Sequence, residues 1–261
     1  MKWARFEKRG VVSHALVEDR ELLPVRGSPF AEWERTGERV ALDDVKLLVP
    51  VVPATFYACG MNYRGHTRAI SGASGVPSKI PSRPNIGYRA VNALVADGEA
   101  IVIPEDASDE IQYEAELVVV IGKQAKNLTE QNALDCVFGY TIGNDVSERS
   151  WQRSDDTMWR SKNTDTFKPM GPWIETELDL DSLVTSVRIN GVLKNEFPTN
   201  DMVFDIPRYL SAMTRYLTLY PGDVVWMGTQ GEATNLQHGD MVDITIDPIG
   251  TLRSPVIRAG Q

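Results

Sequence analysis

Glu114 and Glu116 are separated by one residue and run directly into the apolar stretch Leu117-Val118-Val119-Val120-Ile121-Gly122. Side chains alternate across a β-strand, so the two carboxylates share one face at the mouth of a strand suited to burial. Asp145 follows a second apolar run, Phe138 to Gly143, in the turn-rich exit Gly143-Asn144-Asp145-Val146-Ser147. Hard divalent cations take oxygen ligands, and a small carboxylate set with open positions suits Mg²⁺ or Mn²⁺. Glu114, Glu116 and Asp145 are therefore candidate metal ligands, and the chain a candidate metal-dependent enzyme. By itself the glutamate pair reads as readily as a solvated strand face. Asp145 and the basic residues Arg149, Arg153, Arg160, Lys162 and Lys168 that follow it shift the reading towards a site. The outer members of that basic cluster still read as a solvated charge face.

Of the three histidines, His14, His66 and His238, His66 stands out, because it opens a segment to Pro84 rich in Gly, Ser, Pro, Arg and Lys. Such a stretch packs no core of its own and is either a lid or a connector. An imidazole there could close over a bound metal and substrate, and it titrates near working pH.

The elements that must position these residues are mostly strands. Val11-Val12, Ala15-Leu16-Val17 and Leu22-Leu23-Pro24-Val25 read as short strands, and Pro50-Val51-Val52-Pro53 punctuates the chain after them. Residues 1–52 thus read as a small N-terminal domain and 53–261 as the main body. Strands are expected at Phe56 to Gly60, Leu94-Val95, Ala100 to Ile103, Glu114 to Ile121 and Phe138 to Ile142. Thr129 is placed to cap a short helix that turns Ala133, Leu134 and Val137 inward. Asn190-Gly191 between Val187–Ile189 and Val192-Leu193 predicts a hairpin with a type I′ turn. Ile206, Leu210, Met213 and Leu217 predict a helix over 205–216, with Pro207 in its first turn. Asp223 to Met227 and Asp240 to Ile246 alternate like strands. The fold class is α+β and β-rich, unlike a doubly wound α/β sheet.

The chain has 261 residues, 42% of them hydrophobic and 24% charged, enough for a sizeable core. A formal charge of −9 excludes a nucleic-acid binder's basic face and gives no attraction to anionic membranes. Cys59 and Cys136 form neither a metal-binding pair nor a disulfide framework. No apolar run is long enough to span a membrane and the start lacks a signal peptide's core, which points to a reduced, cytoplasmic protein. Nucleophile-elbow, Walker and dinucleotide-binding motifs are absent.

Several blocks, in order, resemble the fumarylacetoacetate hydrolase family, which includes 2-hydroxyhepta-2,4-diene-1,7-dioate isomerases. They are Gly60-Met61-Asn62-Tyr63-Arg64-Gly65-His66, Tyr113-Glu114-Ala115-Glu116-Leu117, Asn144-Asp145-Val146-Ser147-Glu148-Arg149, Trp151-Gln152, Lys162 ahead of Asp165-Thr166-Phe167, Pro169-Met170-Gly171-Pro172-Trp173 and Leu219-Tyr220-Pro221-Gly222-Asp223, then Gly228-Thr229. The resemblance implies a mixed β-sandwich roll with a small N-terminal domain, assembled as a homodimer. It also implies Mg²⁺ or Mn²⁺ on Glu114, Glu116 and Asp145, chelating a small 2-oxo acid substrate. Lys162 then lies beside the developing negative charge and Arg149, Gln152 and Thr229 match substrate-contacting positions. His66 matches a lid histidine that activates water or moves a proton.

Three positions depart from the family. Ala69 stands where hydrolases and decarboxylases commonly carry a Glu, partner to the lid histidine. In Pro81-Ser82-Arg83-Pro84-Asn85-Ile86-Gly87-Tyr88-Arg89, Gly87 replaces an aromatic residue and Arg89 a lysine, a change able to retune substrate geometry. Gln230 replaces a proline. The resemblance implies hydrolytic C–C cleavage of a 2-oxo or 1,3-diketo acid first, by family frequency. Isomerisation, which needs no attacking water, comes second, and decarboxylation third. A metal-binding scaffold without catalysis is the alternative of another class.

Overall fold

The computed structural model describes residues 1–65, 80–231 and 233–261. His66 and Ala69 lie outside them. The fold is β-rich and mixed, as the strand patterning requires. Its main sheet runs in the order Trp33–Arg35, Glu21–Gly27, Val11–Glu18, Lys2–Lys8, Lys168–Glu175, Val137–Asn144, Ala115–Ile121, Val224–Trp226, Phe56–Cys59, Ile86–Tyr88. A second sheet runs Ile101–Ile103, Gly250–Arg258, Met241–Ile246, Val184–Ile189, Val192–Pro198. A short ribbon pairs Ile111–Gln112 with Ser147–Glu148.

Ala115–Ile121 is buried along its whole length. Its alternate residues face different cores. Leu117, Val119 and Ile121 pack with Leu210, Ile244 and Val256, while Val118 and Val120 pack with Trp3, Phe56 and Trp226. A strand covered on both faces reads as a continuous apolar run rather than an alternating one. Glu114 and Glu116 share the parity of Val118 and Val120, so the period of two carries both acids to one face.

The N-terminal strands continue the main sheet through Lys2↔Glu175 and Trp3↔Ile174. Val11 and Ala15-Leu16-Val17 lie on one strand, Val11–Glu18, because Ser13 and His14 stay in register with Phe6 and Arg5. The Asn190-Gly191 turn has positive φ at both residues (53° and 78°), as a type I′ turn requires. The helix Ile206–Thr214 is capped by Asp205, which accepts from the Arg208 N–H, and it buries Ile206, Leu210 and Met213.

The expected helix after Thr129 is instead a 3₁₀ turn, Ala133–Cys136, preceded by Asn132. The Asn132 side chain accepts from Thr129 N–H and hydroxyl, Leu134 is 40% exposed, and Val137 already opens the next strand. Val137 lies beyond the turn, on the next strand, so no helical period carries Leu134 and Val137 to a common inward face. The helices Arg149–Ser154 and Trp159–Asn163 and the strand Gly250–Arg258 were not marked by the sequence patterns. Among the described residues no helix is long and apolar enough to cross a membrane.

Candidate metal centre

Antiparallel pairing brings the acids together. Ala115 lies opposite Asn144, and Glu116 opposite Gly143, so Glu114 and Asp145 face each other where the two strands end. The Asp145 N–H donates to the Glu114 carbonyl at 2.9 Å, and the Glu114 N–H to Asn144 Oδ1 at 3.0 Å. One carboxylate oxygen from each of Glu114, Glu116 and Asp145 lies within 4.8 Å of the others, and all three side chains are buried. Gly143 is required beside them: a Cβ there would stand 2.6 Å from the Trp226 ring.

A basic frame encloses two of the acids. Lys162 Nζ donates to Glu114 Oε2 at 2.7 Å and Asp145 Oδ2 at 3.0 Å. Arg89 grips Asp145 through Nε (3.1 Å to Oδ1) and Nη2 (2.8 Å to Oδ2). Lys168 Nζ pairs with Asp145 Oδ1 at 2.8 Å and donates to the carbonyls of Val146 (3.0 Å) and Phe167 (2.9 Å). Arg149 Nη2 pairs with Glu114 Oε1 at 2.7 Å, while its Nε and Nη1 donate to Gln112 and Gln152. Glu116 is treated differently. Among the described residues its only hydrogen-bond donor is the Gly228 N–H, at 2.7 Å, and no basic side chain forms an ion pair with it. Gly228 adopts φ +90°, a conformation that favours glycine.

The electrostatics follow from these contacts. Burial, reinforced by the charges of Asp145 and Glu114, pushes the Glu116 carboxyl well above the usual range. Burial would raise Asp145 too, but Arg89, Lys162 and Lys168 outweigh it and hold that carboxyl well below its ordinary value. Burial brings the Lys168 ammonium down to about 8 despite Asp145. A buried acid that no cation pairs with among the described residues, crowded by Asp145 and Glu114, is the electrostatic demand that a divalent ion satisfies. The donor set is all oxygen, so the residues fit Mg²⁺ or Mn²⁺, with Glu114, Glu116 and Asp145 as its holders.

The sequence candidates divide by place. Glu114, Glu116, Asp145, Lys162, Arg149 and Arg89 form one contiguous charged cluster. Gln152 joins it through Arg149. Thr229 is buried next to Gly228, whose N–H meets Glu116. Arg89, expected to shape substrate geometry, spends its guanidinium on Asp145. The candidate lid histidine, His66, lies outside the described residues.

Two contributors carried no assigned role in the sequence patterns. Lys168 had appeared only as one member of a basic cluster, yet it is fully buried. Glu148 is equally buried. It caps the helix Arg149–Ser154, accepting from the Trp151 N–H and from Ser108 and Ser150. That helix carries Arg149 and Gln152. Glu148 carries no local signal, because the residues that mark an N-cap are Ser, Thr, Asp and Asn. No local pattern marks Lys168, because lysine is ordinarily exposed.

Comparison with known proteins agrees with this arrangement. Residues 55–257 match the family model described as fumarylacetoacetate (FAA) hydrolase C-terminal, and residues 1–50 match the one described as Rv2993c-like, N-terminal. The chain is similar to oxaloacetate tautomerase YisK of Bacillus subtilis, 33% identical over 87% of this chain and 80% of that protein. It superposes on 2-hydroxyhepta-2,4-diene-1,7-dioate isomerase from Mycobacterium marinum with a TM-score of 0.90 at 33% identity, covering 100% of both chains. It also superposes on maleylpyruvate hydrolase from Sphingobium sp. SYK-6, solved in complex with manganese(II) ion and pyruvate, with a TM-score of 0.80 at 25% identity over 100% of both chains.

Proposed function

This chain belongs to the fumarylacetoacetate hydrolase family, and from that premise we propose that it is a divalent-metal-dependent enzyme that enolises a small 2-oxo acid, acting as a tautomerase or isomerase. The observation that carries the reading is the buried Glu114–Glu116–Asp145 cluster with the Lys162 ammonium held between two of its members. When bound, Mg²⁺ or Mn²⁺ supplies Lewis-acid stabilisation of negative charge on a substrate oxygen.

The chain's own residues supply the rest. Lys162 is a fixed positive group in a site shielded from water, where charge stabilisation is strongest. Its two carboxylate contacts hold Nζ in place before substrate arrives, so little reorganisation is needed as charge develops. Arg149 is oriented by Glu114, Gln112 and Gln152, and its planar guanidinium suits a substrate carboxylate. Thr229 offers a hydroxyl to the same group. His66 is the chain's candidate for moving the proton between carbon and solvent.

Enolisation needs proton transfer but no attacking water. Ala69 removes the acid that family hydrolases commonly pair with the lid histidine, which supports this reading. Family frequency favours hydrolysis, but likeness to a named tautomerase and a named isomerase, each at 33% identity, reverses that order. Hydrolytic C–C cleavage of an acylpyruvate or fumarylacetoacetate type of acid is the second reading, favoured by the likeness to a maleylpyruvate hydrolase.

The test is a substrate panel of oxaloacetate, hydroxyheptadienedioate, acylpyruvates and fumarylacetoacetate, assayed with Mn²⁺ and with EDTA in ¹⁸O-labelled water. Metal-dependent interconversion of the enol and keto forms without ¹⁸O in a cleaved product is expected. Cleavage with ¹⁸O incorporation would establish the second reading, and no metal-dependent turnover of any member would favour a scaffold.

A further inference from the structure

Asp145 is surrounded by more positive charge than one carboxylate requires. Arg89 spans both of its oxygens, Lys162 shares Oδ2, and Lys168 lies 2.8 Å from Oδ1. Lys168 differs from the other two in its surroundings. Its side chain is fully enclosed, and its remaining hydrogen bonds go to the carbonyls of Val146 and Phe167. The ammonium therefore cannot reach a substrate; whatever it does for the chemistry passes through Asp145.

Burying a lysine is costly, and a neutral donor could satisfy the same two carbonyls. The positive charge itself has one evident target. A cation pressed against a carboxylate offsets part of its charge, so less remains to attract a metal ion. The unevenness of the site supports this. Among the described residues, three cations converge on Asp145, two on Glu114 and none on Glu116.

We propose that Lys168 is a tuning residue: its charge weakens the hold of Asp145 on the divalent ion and leaves that ion more electrophilic. The proposal rests on the metal reading above and concerns a residue outside the ligand set and the substrate pocket.

The experiment is calorimetric titration of Mn²⁺ into metal-stripped wild type, Lys168→Met and Lys168→Arg, with circular dichroism reporting the folded fraction. A unit charge one carboxylate away from a divalent ion in a shielded site is worth at least about a tenfold change in affinity. Lys168→Met is expected to bind Mn²⁺ about tenfold tighter or more, and Lys168→Arg, which keeps the charge, within about threefold of wild type. A gain in affinity cannot arise from damage to the fold. Should Lys168→Met not fold, Lys168→Gln removes the charge while keeping a donor for the carbonyls, and carries the same expectation. Unchanged or weaker binding by the neutral variant overturns the proposal, as does an equal gain in Lys168→Arg. Failure of wild type to bind Mn²⁺ overturns the metal reading itself, which is a distinguishable result.

Discussion

Glu148→Ala should destabilise the protein out of proportion to the size of the side chain. The Glu148 carboxylate is fully buried and receives the N–H groups of Ser108 and Trp151 and the hydroxyls of Ser108 and Ser150. Alanine leaves no acceptor there. Each orphaned, buried backbone N–H costs about 1–3 kcal/mol, whereas a hydroxyl is free to rotate. The two N–H groups together therefore predict a loss of about 3 kcal/mol, a large share of a typical folding free energy. For a chain of this size that corresponds to a fall in Tm of about 5–6 °C. Glu148→Gln keeps one acceptor oxygen at nearly the same volume and should lose about half as much. Urea unfolding followed by circular dichroism measures both. A loss below about 1 kcal/mol for the alanine variant would refute the view that this carboxylate organises the Arg149–Ser154 helix.

Three further outcomes follow from the same contacts. Lys162→Met should lower turnover about 100-fold or more while the protein still takes up Mn²⁺, because an electrostatic stabiliser is removed and the ligands are kept; equal loss of Mn²⁺ uptake and turnover would assign Lys162 to metal retention instead. Gly143→Ala should cost about 1–3 kcal/mol by urea unfolding, since the new methyl would stand 2.6 Å from the Trp226 ring, and wild-type stability would contradict that packing. Burial, aided by Arg5, lowers the His14 pKa from 6.5, so the unfolded chain binds a proton more readily than the folded one; stability is complete above pH 6.5 and falls as the pH drops below it, and His14→Gln should flatten that slope.

How much was legible in the sequence depends on whether a signal was local. Glu114 and Glu116 ahead of Leu117 to Ile121 pointed to one strand face, and the register with Val137–Asn144 brings Asp145 to them. Asn190-Gly191 and the period of Ile206, Leu210 and Met213 were equally readable, because a turn and a three-turn helix each carry their own pattern. The helices Arg149–Ser154 and Trp159–Asn163 have six and five residues, too few to establish a period, so the elements that carry Arg149, Gln152 and Lys162 were not legible. Leu134 looked inward because a longer helix was assumed around it. Arg89 and Lys168 gave no local sign of their contacts for a different reason: their partner is Asp145, supplied by a separate part of the chain, and nothing in their own neighbours announces a buried ion pair.

Glu114, Glu116 and Asp145 are proposed to hold one divalent ion. Titration of Mn²⁺ into metal-stripped wild type and Glu116→Gln, with free Mn²⁺ followed by electron paramagnetic resonance, tests it most directly. One ion per chain is expected in wild type and affinity weakened about 100-fold or more in the variant, which loses a charged oxygen ligand but keeps its shape. Binding of equal strength in both proteins, or none in wild type, would contradict the proposal.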